Sequence, residues 1–262
     1  MSKQKTIPTQ ETVEEKKKLP FARMNYILVL LLTMLGRGVA QTFQPYESGV
    51  VAYHGYSFPV VPGTQDWKSI SHTQRVASLQ LPVDTLQNIS TERLLETCLY
   101  YPFNIDIFAF DDQIASFGRV KEQFNGYAEL YQRADFVGRL MSLYSSRDVA
   151  FVNQMDIDSE KGHYAFDYHI MEFMFIDAAL LASDTQAARV AMLLDEKKEQ
   201  KTHYGVYGST NRVVIALAIG RCLQRTNTFS DYQGTTLPDF LQSGKLTDAD
   251  DLDYIYSKVQ KP

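Results

Sequence analysis

Four side chains on one stretch of chain have the types that do acid–base or metal chemistry: His163, Asp167, His169 and Glu172. On a helix, residues three or four apart are neighbours and those two apart diverge. His163 and Asp167 therefore share one face, and His169 and Glu172 share another. One metal ion is not easily held by all four, and the spacing is neither the His-Glu-x-x-His of zinc hydrolases nor the Glu-x-x-His of di-metal bundles. The chemistry this cluster would support is hydrolysis by acidic or His groups on the 163–172 helix. The simpler reading puts polar side chains at the margin of an apolar helix, with His169, between Tyr168 and Ile170, a hydrogen-bonded core histidine. No metal and no cofactor is expected.

Other motifs point less far. Asp248, Asp250, Asp251 and Asp253 look like the opening of a calcium loop, but the glycine is missing and the twelfth position is Val259. Carboxylates in a first helical turn, favoured by the dipole, account for them. Tyr204-Gly205-Val206-Tyr207-Gly208-Ser209 lacks the Lys-Ser/Thr of a P-loop and the three glycines of a dinucleotide loop. There is no Gly-x-Ser-x-Gly elbow, and neither Cys98 nor Cys222 sits in a nucleophile context. As an even pair they invite a disulfide, yet each lies in an apolar, helix-like stretch where a buried free thiol packs as a small hydrophobe. Asn88-Ile89-Ser90 matches the glycosylation pattern, but Ser90 already serves as a helix cap. Most of the 31 Tyr and Phe fall on stripes with Leu, Ile and Met, as core residues do. Trp67, Tyr46, Tyr53 and Tyr56 stand in polar or turn-rich surroundings instead. They are either anchors for the segment that carries them or a contact surface for a partner.

The elements that position these residues are helices. Leu94, Leu95, Cys98 and Leu99 follow the N-cap Ser90, and Pro102 stops the run near Tyr101. Ile114, Phe117, Val120 and Phe124 form the next stripe, with Asn125-Gly126 suited to a left-handed helix end. Tyr127, Leu130 and Tyr131, then Phe136, Val137, Leu140, Met141 and Tyr144, continue the pattern. Tyr164 to Leu181 is apolar nearly all the way round, so this helix should be central and buried. Ser183-Asp184-Thr185-Gln186 fits a capping box, and the charged run Asp195 to Glu199 reads as a solvated helix end. The seven apolar residues Val213 to Ile219 read as helix rather than buried strand, because the pattern continues to Leu223. Thr247-Asp248-Ala249-Asp250 opens a last helix through Val259. The expected fold is all-α: a layered or superhelical array of about eight helices in one domain, residues 59–262, preceded by an irregular lead segment, residues 41–58.

Of the formal charge of −5, the first 40 residues carry seven Lys/Arg against three Glu, leaving 19 basic and 28 acidic side chains, or −9, on the rest. Such a body repels phosphate backbones, so no nucleic-acid partner is expected. Residues 1–40 read as a signal peptide: Lys16, Lys17, Lys18 and Arg23 precede the ten mostly apolar residues Tyr26 to Leu35, and Gly38-Val39-Ala40 precedes a cut before Gln41. A spanning helix needs about 20 apolar residues, so membrane contact is expected only if this segment stays uncleaved. The expected location is extracytoplasmic, secreted or periplasmic.

The string Val60-Val61-Pro62-Gly63-Thr64 with Trp67, then Leu81-Pro82, Ser90-Thr91, Leu94-Leu95, Thr97 and Tyr101-Pro102, resembles a family of exported, all-helical bacterial proteins without a known activity. Tyr207-Gly208 and Ile219-Gly220-Arg221 are similar too, so the likeness runs from about residue 60 to 225. It implies export and a helical fold and carries over no functional residue. The expected function is a non-enzymatic binding or scaffolding domain with a protein or cell-envelope partner. The alternative is an extracytoplasmic hydrolase built on the cluster above.

Overall fold

A computed structural model describes residues 45–109, 111–208 and 211–259. The chain divides at Thr42/Phe43, and the described residues all lie in the second unit. The signal-peptide expectation falls on residues 1–40, outside the described ones. No described helix is long and apolar enough to cross a membrane.

The unit is all-helical, with no strand among the described residues. Its α-helices are α1 (Gln65–Ser69), α2 (His72–Ser78), α3 (Val83–Asn88), α4 (Thr91–Leu99), α5 (Gln113–Gln123), α6 (Asn125–Leu130), α7 (Phe136–Ser146), α8 (Asp158–Leu181), α9 (Asp184–Lys201), α10 (Arg212–Gln224), α11 (Thr236–Ser243) and α12 (Asp250–Ser257). Three 3₁₀ segments, Pro102–Phe108, Val149–Gln154 and Gly205–Tyr207, link them. These described helices outnumber the expected eight because short turns such as α1 to α3 bury little and leave no stripe. Side chains start the first two: Thr64 Oγ1 accepts from Trp67 N, and Ser71 and Gln74 form a complete capping box, whereas α3 follows Pro82 without a side-chain cap.

α8 is the axis. Apolar nearly all round from Tyr164 on, it buries Ile170, Met171, Phe173, Met174 and Phe175 against α7, α9, α10 and the Gly205–Tyr207 turn. It hands over to α9 within two residues, because Ser183 Oγ accepts from Gln186 N at 3.3 Å while Gln186 Oε1 accepts from Ser183 N at 2.9 Å. α10 runs from Arg212 to Gln224, so the Val213–Ile219 run is helix, packed between α8, α9 and α12.

Three local expectations are corrected. Asn125 and Gly126 open α6 rather than close α5, and neither has positive φ. The side chain of Asn125 accepts from Leu81 N and donates to Leu81 O, both at 2.9 Å, and a Cβ on Gly126 would run into the Phe124 ring. Ala249, not Thr247, is the N-cap of α12, and it makes no side-chain cap. The run Asp195 to Glu199 is no solvated end: α9 continues to Lys201, Asp195 and Lys197 are buried, and Lys197 Nζ donates to Arg147 O at 2.6 Å. Cys98 and Cys222 are both buried free thiols, not a disulfide, and burial pushes both thiols up, Cys222 to about 12.

Candidate functional site

The structure splits the four residues singled out by type. Asp167 is buried and gathers three donors on Oδ2: Tyr46 Oη at 2.6 Å, Tyr100 Oη at 2.9 Å and Arg147 Nη1 at 2.7 Å. Arg147 Nη2 also donates to Tyr100 Oη at 2.7 Å, closing the ring of contacts. Burial, and after it the Asp167 carboxylate, push the Tyr46 and Tyr100 phenols up, so both remain protonated donors. His163, partly exposed, has Nε2 4.0 Å from Asp167 Oδ1. One turn further along α8, Glu172 is buried with its own set: Tyr144 Oη donates to Oε1 at 2.7 Å, Lys201 Nζ to the same oxygen, and Asn211 Nδ2 to Oε2.

These two networks do structural work. The first joins the lead segment, α4, the residue after α7 and α8; the second joins α7, α8, the end of α9 and the approach to α10. Glu172 takes protein donors on both oxygens, whereas Asp167 takes its three on Oδ2 and has the His163 ring nitrogen 4.0 Å from Oδ1. No group of three or more His, Cys, Asp or Glu among the described residues could hold a metal ion.

The four aromatic residues proposed as anchors or contact surface are anchors. Tyr46 is fully buried, its ring edge-on to Tyr100 at 6.4 Å, and nearby Ser48 donates through N and Oγ to Glu160 at 2.8 and 2.7 Å. Tyr53 packs its ring on Tyr100 at 5.5 Å, Tyr56 on Phe58 at 5.5 Å, and Trp67 lies between Phe103, at 5.5 Å, and the Arg75 guanidinium, at 5.0 Å.

His169 differs from the expectation in the way that matters. It is only 4% exposed, yet its Nε2 has no hydrogen-bond partner. The ring lies among Phe108 (5.6 Å, stacked), Phe166 (6.4 Å) and Phe173 (4.8 Å, edge-on). Burial, and after it the Lys201 charge, hold its pKa down to about 3, so it is neutral at physiological pH. A buried polar atom left unpaired costs about 1–3 kcal/mol, and such atoms are rare. The His169 side chain lines a cavity.

The cavity is about 600 Å³ and lies between α8, the α4 end, the Pro102–Phe108 segment and the Gly205–Tyr207 turn. Its wall is aromatic and aliphatic, with Tyr100, Phe108, Ala165, Phe166 and Val206 prominent. Tyr101 also lines it, is 2% exposed, and has an Oη without a hydrogen-bond partner. The rim carries Ile105, Phe108 and Val206 at 57%, 49% and 38% exposure, large apolar groups that a folded protein ordinarily covers. Asn104, by contrast, is saturated: its Nδ2 donates to Cys98 O and Leu99 O and its Oδ1 accepts from Tyr127 Oη. A second cavity of about 440 Å³, bordered by Lys198, Lys201 and Arg212, shares Tyr207 and Asn211 with the first, but each of those three cations is already paired with a carboxylate.

Sequence reasoning found His169, Asp167 and Glu172 but not Arg147, Lys201, Tyr101 or the cavity. Tyr100-Tyr101-Pro102 was legible only as a helix end, and Arg147 lies 20 residues from its partner with no spacing rule to link them. Compared with known proteins, the chain matches no family model, no curated protein and no solved structure.

Proposed function

We propose that this chain is an exported, non-enzymatic binding protein of the cell envelope or exterior that holds a small, largely apolar molecule in the cavity beside α8. The observation that carries the reading is a roughly drug-sized, largely apolar hollow of about 600 Å³ lined by Tyr100, Phe108, Phe166 and His169. Ligand sites are commonly hollows of about 300–1,000 Å³, mainly apolar, with a few polar groups that fix orientation. Export rests on the basic, apolar and small-residue order of residues 16–40.

Two measurements test the two halves. Nile red, an uncharged apolar dye, should be taken up one per chain with a blue-shifted emission. Ala165→Trp, which fills the hollow from α8, and Val206→Trp, which closes it from the exposed rim, should each weaken uptake at least about tenfold, or about 1.4 kcal/mol. No uptake by the parent protein, or unchanged uptake by both folded variants, would defeat the binding reading. Export predicts that protein recovered outside the cytoplasm begins at Gln41; retention inside the cell with residue 1 intact would defeat that half.

A further inference from the structure

We infer that the cavity takes an apolar acid, a compact hydrocarbon body bearing one carboxylate, and that His163 on its wall is the group that receives the carboxylate. This deepens the binding reading and rests on it.

His163 stands apart from the other polar residues of the wall, because its side chain is 41% exposed. The other described lining residues that can ionise, Tyr100, Tyr101, Tyr207 and His169, are all buried. Tyr100 Oη donates to Asp167 and accepts from Arg147, and Tyr207 Oη donates to Val149 O at 2.8 Å. Asn211 Nδ2 is given to Glu172, and Asn104 is saturated. No Asp, Glu, Lys or Arg is among the described lining residues. His163 is therefore the place on this wall where a charge that solvent can reach is able to form.

The surroundings decide which ligand charge suits it. Arg147 Nη1 meets Asp167 Oδ2 at 2.7 Å, and His163 Nε2 lies 4.0 Å from Asp167 Oδ1. Guanidinium, carboxylate and protonated imidazole alternate in sign from the interior to the wall, so an anion at the exposed ring is the next member of the row. Asp167 does not cancel the imidazolium, because Arg147 already answers its charge. Glu160, one turn back along α8 and within electrostatic reach of His163, accepts from Ser48 N and Oγ at 2.8 and 2.7 Å. The ring is held by Tyr46 of the lead segment, edge-on at 5.2 Å, and by Tyr100 at the end of α4, 26° from parallel at 6.3 Å. A cationic ligand would meet the imidazolium and find no carboxylate on the wall.

The hydrocarbon body follows from the rest of the lining. Phe108, Ala165, Phe166 and Val206 offer no hydrogen bond, and a charge placed among them loses its hydration without compensation. The carboxylate therefore stays with His163 while the apolar part fills the hollow. The exposed side chains of Ile105, Phe108 and Val206 give that part an apolar way in.

Three probes of similar size and different charge test this by titration into the full-length protein at pH about 6: 2-naphthoate, the neutral 2-naphthamide and the cationic 2-naphthylmethylammonium. 2-Naphthoate should bind about three- to fivefold more tightly than 2-naphthamide, the scale of an ion pair open to solvent, and the ammonium should bind least. The affinity for 2-naphthoate should fall by a similar factor as pH rises from about 5.5 to about 8, where imidazoles ordinarily lose their proton, while that for 2-naphthamide stays level. His169, held to about 3, does not titrate in that window. His163→Gln should bring the preference below about twofold and flatten the pH profile, with 2-naphthamide binding and Nile red uptake kept. Should that variant fail to fold, the pH profile of the parent protein decides alone. Equal or tighter binding of the amide, tightest binding of the ammonium, a preference independent of pH, or one that survives in folded His163→Gln would each overturn the proposal. Nile red uptake without 2-naphthoate binding would overturn it and leave the binding reading standing, whereas failure of Nile red as well would defeat that reading.

Discussion

Asp167→Ala is expected to lower stability by about 3–5 kcal/mol, the largest loss of any single polar substitution in the chain together with the Glu172 change considered next. The side chain of Arg147 is 10% exposed, and Asp167 is the carboxylate that answers its charge at 2.7 Å. Removing that carboxylate leaves a guanidinium enclosed by Tyr100 and Tyr164, at a depth where an uncompensated charge is far more costly than at the surface. Tyr46 and Tyr100 lose their acceptor at the same time. For a domain of this size the fall in Tm should be about 10 °C, measured by calorimetry or by urea unfolding. The double variant Asp167→Ala with Arg147→Met should recover at least half of the loss, because removing both charges is often neutral. Limited proteolysis should show the lead segment, residues 45–56, cut sooner in the single variant, since Tyr46 is the deepest of its anchors. A loss below about 1 kcal/mol, the range of an exposed pair, would show that the network is not desolvated as the structure places it.

Glu172→Gln should be nearly as damaging as Glu172→Ala, at about 3–5 kcal/mol, and that equality is the informative result. A carboxamide keeps the volume and still offers an acceptor to Tyr144, so packing and one hydrogen bond survive. It offers no counter-charge to Lys201, whose ammonium is buried at the end of α9 against Glu172 and over the ring of Tyr168. If charge governs, the two variants match, and Glu172→Gln with Lys201→Met is markedly more stable than Glu172→Gln alone. If volume governs, Glu172→Gln is mild and only Glu172→Ala is severe, as in a cavity-forming core substitution. Unfolding in urea with an unchanged dependence on denaturant separates these outcomes from a change in the unfolded state.

The two networks also explain what kind of molecule this is. Both occupy α8, the helix without a polar face, and both replace what a hydrophobic core supplies only loosely: fixed register between α8 and its neighbours. Asp167 reaches back across the lead segment to Tyr46, and Glu172 reaches forward to Asn211 at the start of α10. Among the buried polar atoms without a hydrogen-bond partner, His169 Nε2 and Tyr101 Oη belong to residues that line the cavity. A largely apolar, aromatic wall without carboxylate, ammonium or guanidinium groups is the physical basis for reading the cavity as a place to hold a molecule.

Helix class, the central position of α8, the Ser90 cap, the Ser183–Gln186 box and the helical nature of Val213 to Ile219 were all legible in the chain, because each depends on neighbours within four residues. The lead segment was legible as irregular, and its tyrosines as either anchors or contacts. Local pattern could say that His163 and Asp167 share a face, and His169 and Glu172 another, but not what those faces meet. Arg147, just after α7, and Lys201, at the end of α9, answer the two acids from 20 and 29 residues away. The charged run from Asp195 looked solvated because sequence shows charge without showing coverage, and distant groups such as the Arg147 carbonyl and the Tyr256 ring cover part of it. His169 is the sharpest case: its apolar neighbours predicted burial, whereas the absence of a partner for Nε2 is a property of three-dimensional surroundings that no spacing encodes. Periodicity reports which side of a helix avoids water, and distant segments alone decide whether a buried polar atom is satisfied.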